Sequence, residues 1–323
     1  MNMSHALDGF LFTLKAESYS QATVDLYHIM LTTLSDFLEN PKVSEIAAKD
    51  LTRYFAYLQS DYVPRRQSGN TAPLSGSTLQ NHWKAIRCFF KWAEEELNLK
   101  SRPDAKLKLP PNNPKAILPL SEDEVKALVD SAEYTRQAKT NVRRTFRMKR
   151  PTAERDTALI ILLLDTGIRS GEAGRLNIKD ADLETGEIYI APYGSSQRKT
   201  KSRALPIGKV ARKSLWRYLT TRPEDTRPDE PLFITVAGRR MGPNSIRCLL
   251  KDLGAKAGVK NCHPHRLRHT FAVEFLRNDG DIFTLQMILG HSSLDMVRKY
   301  LQLVKADAKN AHRRASPADR WKL

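Results

Sequence analysis

Pro264-His265-Arg266-Leu267-Arg268-His269-Thr270-Phe271-Ala272 reads as a helix start carrying a stack of imidazole and guanidinium groups. Pro264 suits the first turn of a helix, where its missing N–H is no loss. His265 and Arg268 are three apart and share one helix face. An imidazole and a guanidinium on that face make a pocket for an anion, phosphate above all. Leu289-Gly290-His291 follows, and Tyr300 stands nine positions after His291. Far upstream lies Thr166-Gly167-Ile168-Arg169-Ser170-Gly171-Glu172, with a second arginine just past a glycine break. Two arginines, two histidines and a late tyrosine are the groups needed to attack a phosphodiester with a phenol.

Composition agrees. The chain has 323 residues, enough for two domains, and a formal net charge of +17. The charge is lopsided: residues 1–110 carry a net of +1 and the remainder +16. A polyanionic partner is the expectation, with ordinary solubility as the bland alternative. Cys88, Cys248 and Cys262 are scattered and odd in number, which suits free thiols in a reducing cytoplasm and excludes a zinc-finger spacing. The longest apolar run, 158–164, is far too short to span a bilayer, and no export signal is apparent at the N-terminus.

Helical periodicity organises the first hundred residues. Leu7, Phe10, Leu11 and Leu14 form one stripe, and Val24, Tyr27, Leu31, Leu34 and Leu38 a second behind a Ser20 cap. Leu51, Tyr54, Phe55 and Leu58 form a third, and Leu79, Trp83, Ile86, Phe90, Ala93 and Leu97 a fourth. These predict a compact four-helix domain over residues 1–99 with an aromatic core. Arg65, Arg66, Lys84, Arg87 and Lys91 are candidates for contacts to a phosphate backbone. Residues 100–116 hold four prolines among lysines and asparagines and read as an extended basic linker.

Ser121-Glu122-Asp123-Glu124 is a capping box that opens a second domain, 117–323. Residues 133–150 hold seven Lys or Arg and one acid, so Arg143, Arg144 and Arg147 are further backbone-contact candidates, against the plainer reading of a solvated loop. A buried helix over 153–165 ends at Gly167, a natural C-cap. Strands are expected at 187–191 and 204–207, joined by a loop carrying Arg198, Lys199, Lys201 and Arg203 with no acid between them. Helices are expected near 209–220, 243–257, 265–278 and 282–289. His291 and Tyr300 would face opposite sides of one straight helix, since nine residues turn through about 900°. A break at Ser292-Ser293 therefore sets Tyr300 on its own short helix. The tail, about 304–323, is basic and proline-interrupted.

In this order and spacing, Arg169-x-x-Glu172, the basic hairpin, His265-x-x-Arg268, Leu-Gly-His291 and Tyr300 resemble the tyrosine recombinase, or phage integrase, family of site-specific DNA recombinases. The motifs cover roughly residues 115–305, while the N-terminal helices resemble the family's core-binding domain only in size and pattern. His263-x-x-Arg266 offers a competing register; the residues after Leu267 select His265 and Arg268. Gly171 and Ala173 depart from the larger residues usual in the first box.

The resemblance implies a mainly α protein: a SAM-like four-helix core-binding domain followed by an α-rich catalytic domain with a small antiparallel sheet. It implies Tyr300 as nucleophile, Arg169 and Arg268 as phosphate ligands, and His265 and His291 as proton-relay and hydrogen-bonding groups. Glu172 is then a supporting carboxylate and Lys199 the general acid, with Lys201 as the alternative. His269 is read as structural. The phosphotyrosyl bond retains the energy of the phosphodiester, so neither metal nor any other cofactor is expected. The expected partner is double-stranded DNA, gripped by a monomer that becomes a homotetramer on synapsed DNA, with possible DNA-bending accessory factors, and the tail docking on a neighbouring protomer. The place is the cytoplasm, with the nucleoid. Three alternatives stand beside this one: a catalytically silent DNA-binding relative, a type IB topoisomerase-like nicking-closing enzyme, and a non-catalytic basic helical scaffold. The basic scaffold predicts no covalent DNA adduct, and neither does a silent relative; an adduct would leave the recombinase and the topoisomerase-like enzyme.

Overall fold

Buried aromatic side chains at helical spacing build the N-terminal part. The computed structural model describes residues 1–64, 66, 69–112, 117–137, 145–194, 202–290 and 316. Four helices come first: α1 (Met3–Ala16), α2 (Gln21–Phe37), α3 (Ala48–Ser60) and α4 (Gly76–Glu96). Ser20 caps α2 through the Thr23 amide, and Ser75 caps α4 through the Thr78 amide, both at 3.2 Å. Phe10, Leu31, Leu34, Tyr54, Phe89 and Phe90 meet in the core, where the Phe10 and Phe89 rings stand edge to face at 5.6 Å. The Tyr54 hydroxyl lies 3.0 Å from Nδ1 of the buried His82.

The proline-rich stretch after α4 differs from the extended linker expected over 100–116. Its described part packs along α4. Trp83 Nε1 donates to the Leu107 carbonyl and Gln80 Nε2 to the Pro110 carbonyl, each at 2.9 Å. Asp104 is fully buried and held by the Arg102 guanidinium at 2.6 Å, with Arg87 Nε at 3.7 Å. Proline forbids a helix here, but it does not prevent carbonyls from accepting bonds offered by a helix face. The chain divides at the end of this stretch into two compact units, one of Met1–Ala116 with Tyr193 and Gly194, the other of Ile117–Pro192 and the described residues from 202 onward.

The second unit is layered around α6 (Ala153–Thr166), whose neighbours are α5 (Glu122–Glu133), α8 (Lys209–Leu219) and α10 (Pro264–Arg277). Every residue from Ala158 to Leu164 is apolar, so α6 presents apolar side chains all round, which suits a central position. Its other helices are α7 (Ser170–Arg175), α9 (Pro243–Ala257) and α11 (Ile282–Leu289). Strands β1 (Ala181–Asp182), β2 (Glu187–Ile190) and β3 (Arg203–Pro206) form an antiparallel sheet in that order. Ile188 pairs with Leu205 and Ile190 with Arg203. Ile188, Ile190 and Leu205 are buried on one face. The short β1 went unread in the sequence. Among the described residues no helix is long and apolar enough to cross a membrane.

Candidate active site

Two chain breaks and one helix end converge. The first break is Gly167, the left-handed C-cap of α6 at φ +60°. A Cβ there would lie 2.3 Å from Phe271 and 2.9 Å from Leu289, so glycine is required by both backbone and space. The turn it makes delivers Arg169 to the N-cap of α7. The second break is Gly290, the left-handed C-cap of α11. It exposes the last carbonyls of that helix, which have no partner within the helix and carry the negative end of its dipole.

Arginines take those carbonyls. Arg268 is 4% exposed and donates from Nη1 to the Gly167 carbonyl at 2.7 Å and from Nη2 to the Leu289 carbonyl at 2.8 Å. Arg169 donates from Nη1 to the same Leu289 carbonyl at 3.4 Å, and keeps about a third of its side-chain surface open (36%). Arg203 donates from Nε to the Ile288 carbonyl at 2.8 Å. Two of these arginines belong to the two sequence motifs, and the fold joins them at one carbonyl.

Glu172 lies beneath them, 3% exposed. Its carboxylate accepts the Arg169 amide at 2.8 Å, Arg169 Nη1 at 3.2 Å, and both Nη atoms of Arg203 at 3.1 and 3.0 Å. Burial pushes its pKa up, but the hydrogen bonds from Arg203 and Arg169 and their charges outweigh that and hold it below the usual carboxylate range. Glu172 is therefore a permanent anion inside a cationic cluster.

His265 is exposed on the first turn of α10. Partial desolvation, then the charges of Arg268, Arg169 and Arg247, hold its pKa below the ordinary imidazole value. The ring is neutral at pH 7 and able to accept a proton. The competing register is used by the fold instead. His263 caps α10 by accepting the Arg266 amide at Nδ1. Arg266 pairs with Glu124 at 3.0 Å and donates to the Leu118 carbonyl at 3.1 Å. His269 bonds the backbone of Ile117.

Of the other site candidates, Lys199, Lys201, His291 and Tyr300 lie outside the described residues, as do Arg65, Arg143, Arg144 and Arg198. The described backbone-contact candidates divide. Lys84 is exposed. Arg66 is turned into its own loop, onto the Asn70 and Ala72 carbonyls at 2.9 and 2.7 Å. Arg87 faces Asp104 and stacks over Trp83 at 4.8 Å. Lys91 pairs with Glu95 at 3.9 Å, and Arg147 with Asp130 while lying over Tyr134 at 5.0 Å. Arg203, one of the hairpin cations, is partly buried and paired with Glu172, a partner 31 positions away that no local pattern could reveal.

The family model described as Phage integrase family matches residues 119–307, and that described as Phage integrase, N-terminal SAM-like domain, matches residues 7–99. The chain belongs to the phage integrase family. Tyrosine recombinase XerC of Staphylococcus epidermidis is 27% identical over 98% of this chain and 100% of its own. XerC of Alcanivorax borkumensis is 30% identical over 71% of this chain and 70% of its own. Among solved structures, the XerH site-specific recombinase bound to palindromic difH substrate, a post-cleavage complex, matches with a TM-score of 0.65 at 23% identity, over 93% of this chain and 80% of that one. That likeness is one of fold. Within the integrase family, this chain is a tyrosine-type site-specific recombinase.

Proposed function

We propose that this recombinase cuts and rejoins duplex DNA at a defined site, with the Tyr300 phenol as nucleophile. The observation that carries the reading is the meeting of Arg169 and Arg268 at the Leu289 carbonyl, two residues before His291. Arginines pinned by backbone carbonyls are preorganised, and preorganised donors stabilise charge that develops in a transition state.

The Tyr300 oxygen bonds to phosphorus while the bond to the leaving 5′-oxygen breaks. The phenolic proton passes to neutral His265, and Lys199 gives a proton to the 5′-oxygen. Arg169 and Arg268 hold the non-bridging oxygens, and His291 adds a hydrogen bond. The product is a 3′-phosphotyrosyl link and a free 5′-hydroxyl. Attack by a 5′-hydroxyl from another strand reverses the step and completes the transfer.

Residues 117–323 form the catalytic domain in this reading, and residues 1–99 a DNA-binding domain. The positive charge, concentrated after residue 110, supplies the sequence-independent attraction. Each subunit cuts one strand, so exchange between two duplexes takes four copies, assembled on DNA from monomers. The substrate places the enzyme with the nucleoid in the cytoplasm. A suicide substrate, nicked so that the 5′-hydroxyl diffuses away after cleavage, tests the reading. A covalent protein–DNA complex that survives denaturation is expected, and its absence on cognate DNA would overturn the assignment.

A further inference from the structure

Arg203 was unremarkable as a hairpin cation, and its place in the fold is not. Its register partner is Ile190, so it points to the inner face of the sheet together with Leu205. There the side chain is 11% exposed. Its guanidinium closes a two-pronged fork on Glu172, Nη1 to Oε1 at 3.1 Å and Nη2 to Oε2 at 3.0 Å. Its Nε takes the Ile288 carbonyl at 2.8 Å. The guanidinium also packs flat on Gly290, where an added Cβ would lie 3.0 Å from Nη1.

Arg169 competes for the same carboxylate and receives less of it. On that carboxylate its side chain makes a single contact, Nη1 to Oε1 at 3.2 Å. A carboxylate offers about four acceptor positions. On Glu172 they are taken by the Arg169 amide, Arg169 Nη1 and the two Nη atoms of Arg203. With Arg203 removed, two acceptor positions on a buried anion open beside the Arg169 head, whose bond to the Leu289 carbonyl is long, at 3.4 Å, and whose side chain is about a third open. The strongest form of an arginine–carboxylate pair is the fork, so Arg169 would swing to complete one. That movement takes the guanidinium off the place where a phosphate oxygen would sit.

We propose that Arg203 is a positioning residue for cleavage: by saturating Glu172, it keeps the Arg169 guanidinium available to the scissile phosphate. The inference rests on the reading that Arg169 is a phosphate ligand. Arg203 itself touches no DNA. It acts through Glu172, and it ties β3, α7 and the end of α11 into one frame.

The test is single-turnover cleavage of a nicked suicide substrate at saturating DNA, with DNA affinity and thermal melting measured on the same preparations. The wild-type adduct is the control: if it does not form, the functional reading fails, and the comparison of variants is not what failed. With wild type active, Arg203→Met keeps the aliphatic stem and removes the fork. It should bind DNA within about twofold of wild type and cleave about ten- to a hundredfold more slowly, the range expected when a catalytic group is misplaced by about 1 Å. Adding Glu172→Gln removes the anion that captures Arg169, so Arg203→Met/Glu172→Gln should cleave at least several-fold faster than Arg203→Met alone. Arg203→Lys, which restores charge without the fork, should recover only part of the rate. A double variant no faster than the single one would overturn the inference. So would an Arg203→Met enzyme that loses affinity but keeps its saturated rate, which is the signature of a DNA contact. An Arg203→Met chain that no longer folds would overturn it too, since Arg203 would then belong to the fold and not to the aim of Arg169.

Discussion

Arg268 donates to the carbonyl of Gly167 at 2.7 Å, across 101 positions of sequence. One bond thus joins a catalytic-motif arginine on α10 to the turn that launches Arg169. The same guanidinium holds Leu289 at the end of α11. In the proposed mechanism, geometry at the phosphate therefore depends on how tightly the two glycine caps are formed.

Gly167→Ala tests that dependence. A left-handed backbone costs an L-residue about 1–2 kcal/mol, and the new Cβ meets Phe271 as well. The variant should melt several degrees lower and cleave more slowly at a temperature where it is still folded. An unchanged melting temperature with an unchanged rate would show that the turn can relax without cost.

The buried His82 beside Tyr54 sets a pH dependence in the first unit. Burial lowers its pKa to about 4 from an ordinary 6.5. The unfolded chain takes up the proton first as pH falls, so stability is full above about pH 6.5 and is lost progressively toward pH 4. The loss approaches about 3 kcal/mol. His82→Leu should flatten the fall in stability between pH 7 and pH 4.5 relative to wild type. Parallel curves for the two proteins in denaturant titrations would remove His82 as the cause.

Much of this was legible in the sequence, and the exceptions share a cause. The stripe from Leu79 to Leu97 declared α4, and the Ser121–Glu124 box declared the start of α5. Gly167 declared its own C-cap. These signals are local: periodicity, caps and breakers act within a few residues. Arg203 was misread because its partner Glu172 is remote, and a guanidinium in a basic run looks the same whether it meets solvent or a buried acid. The docking of the stretch after α4 was hidden for the same reason. Proline content excludes a helix at 103–111, but only the fold brings Trp83 and Gln80 to its carbonyls. Strand β1, two residues long, is too short to carry an alternation.

DNA affinity should fall steeply with salt. Each phosphate contact adds about −0.9 to the slope of log K against log salt. With a net charge of +17, a slope of several units is expected in fluorescence-anisotropy titrations. A nearly flat slope would contradict an interface built on phosphate contacts.

Hairpin lysine chemistry separates general acid from charge stabilisation. Lys199→Ala should slow cleavage of ordinary DNA, and a 5′-phosphorothiolate at the scissile position should restore the rate, because a sulfur leaving group needs no proton. The same substrate should do little for Arg169→Ala. Residues two apart in an extended strand share a face, so position alone does not separate Lys199 from Lys201. Sulfur rescue of Lys201→Ala with Lys199→Ala left inactive would transfer the role to Lys201. Rescue of neither would move the acid off this hairpin.

In the proposed mechanism the Tyr300 phenol forms the covalent bond to DNA. Wild type and Tyr300→Phe, incubated with the same nicked suicide substrate and denatured, give the most direct comparison. Wild type should accumulate a covalent protein–DNA complex whose linked peptide, by mass spectrometry, contains Tyr300. Tyr300→Phe should bind the substrate with the same affinity and form none. A covalent complex at wild-type level in Tyr300→Phe would contradict the account, because another side chain would then be the nucleophile.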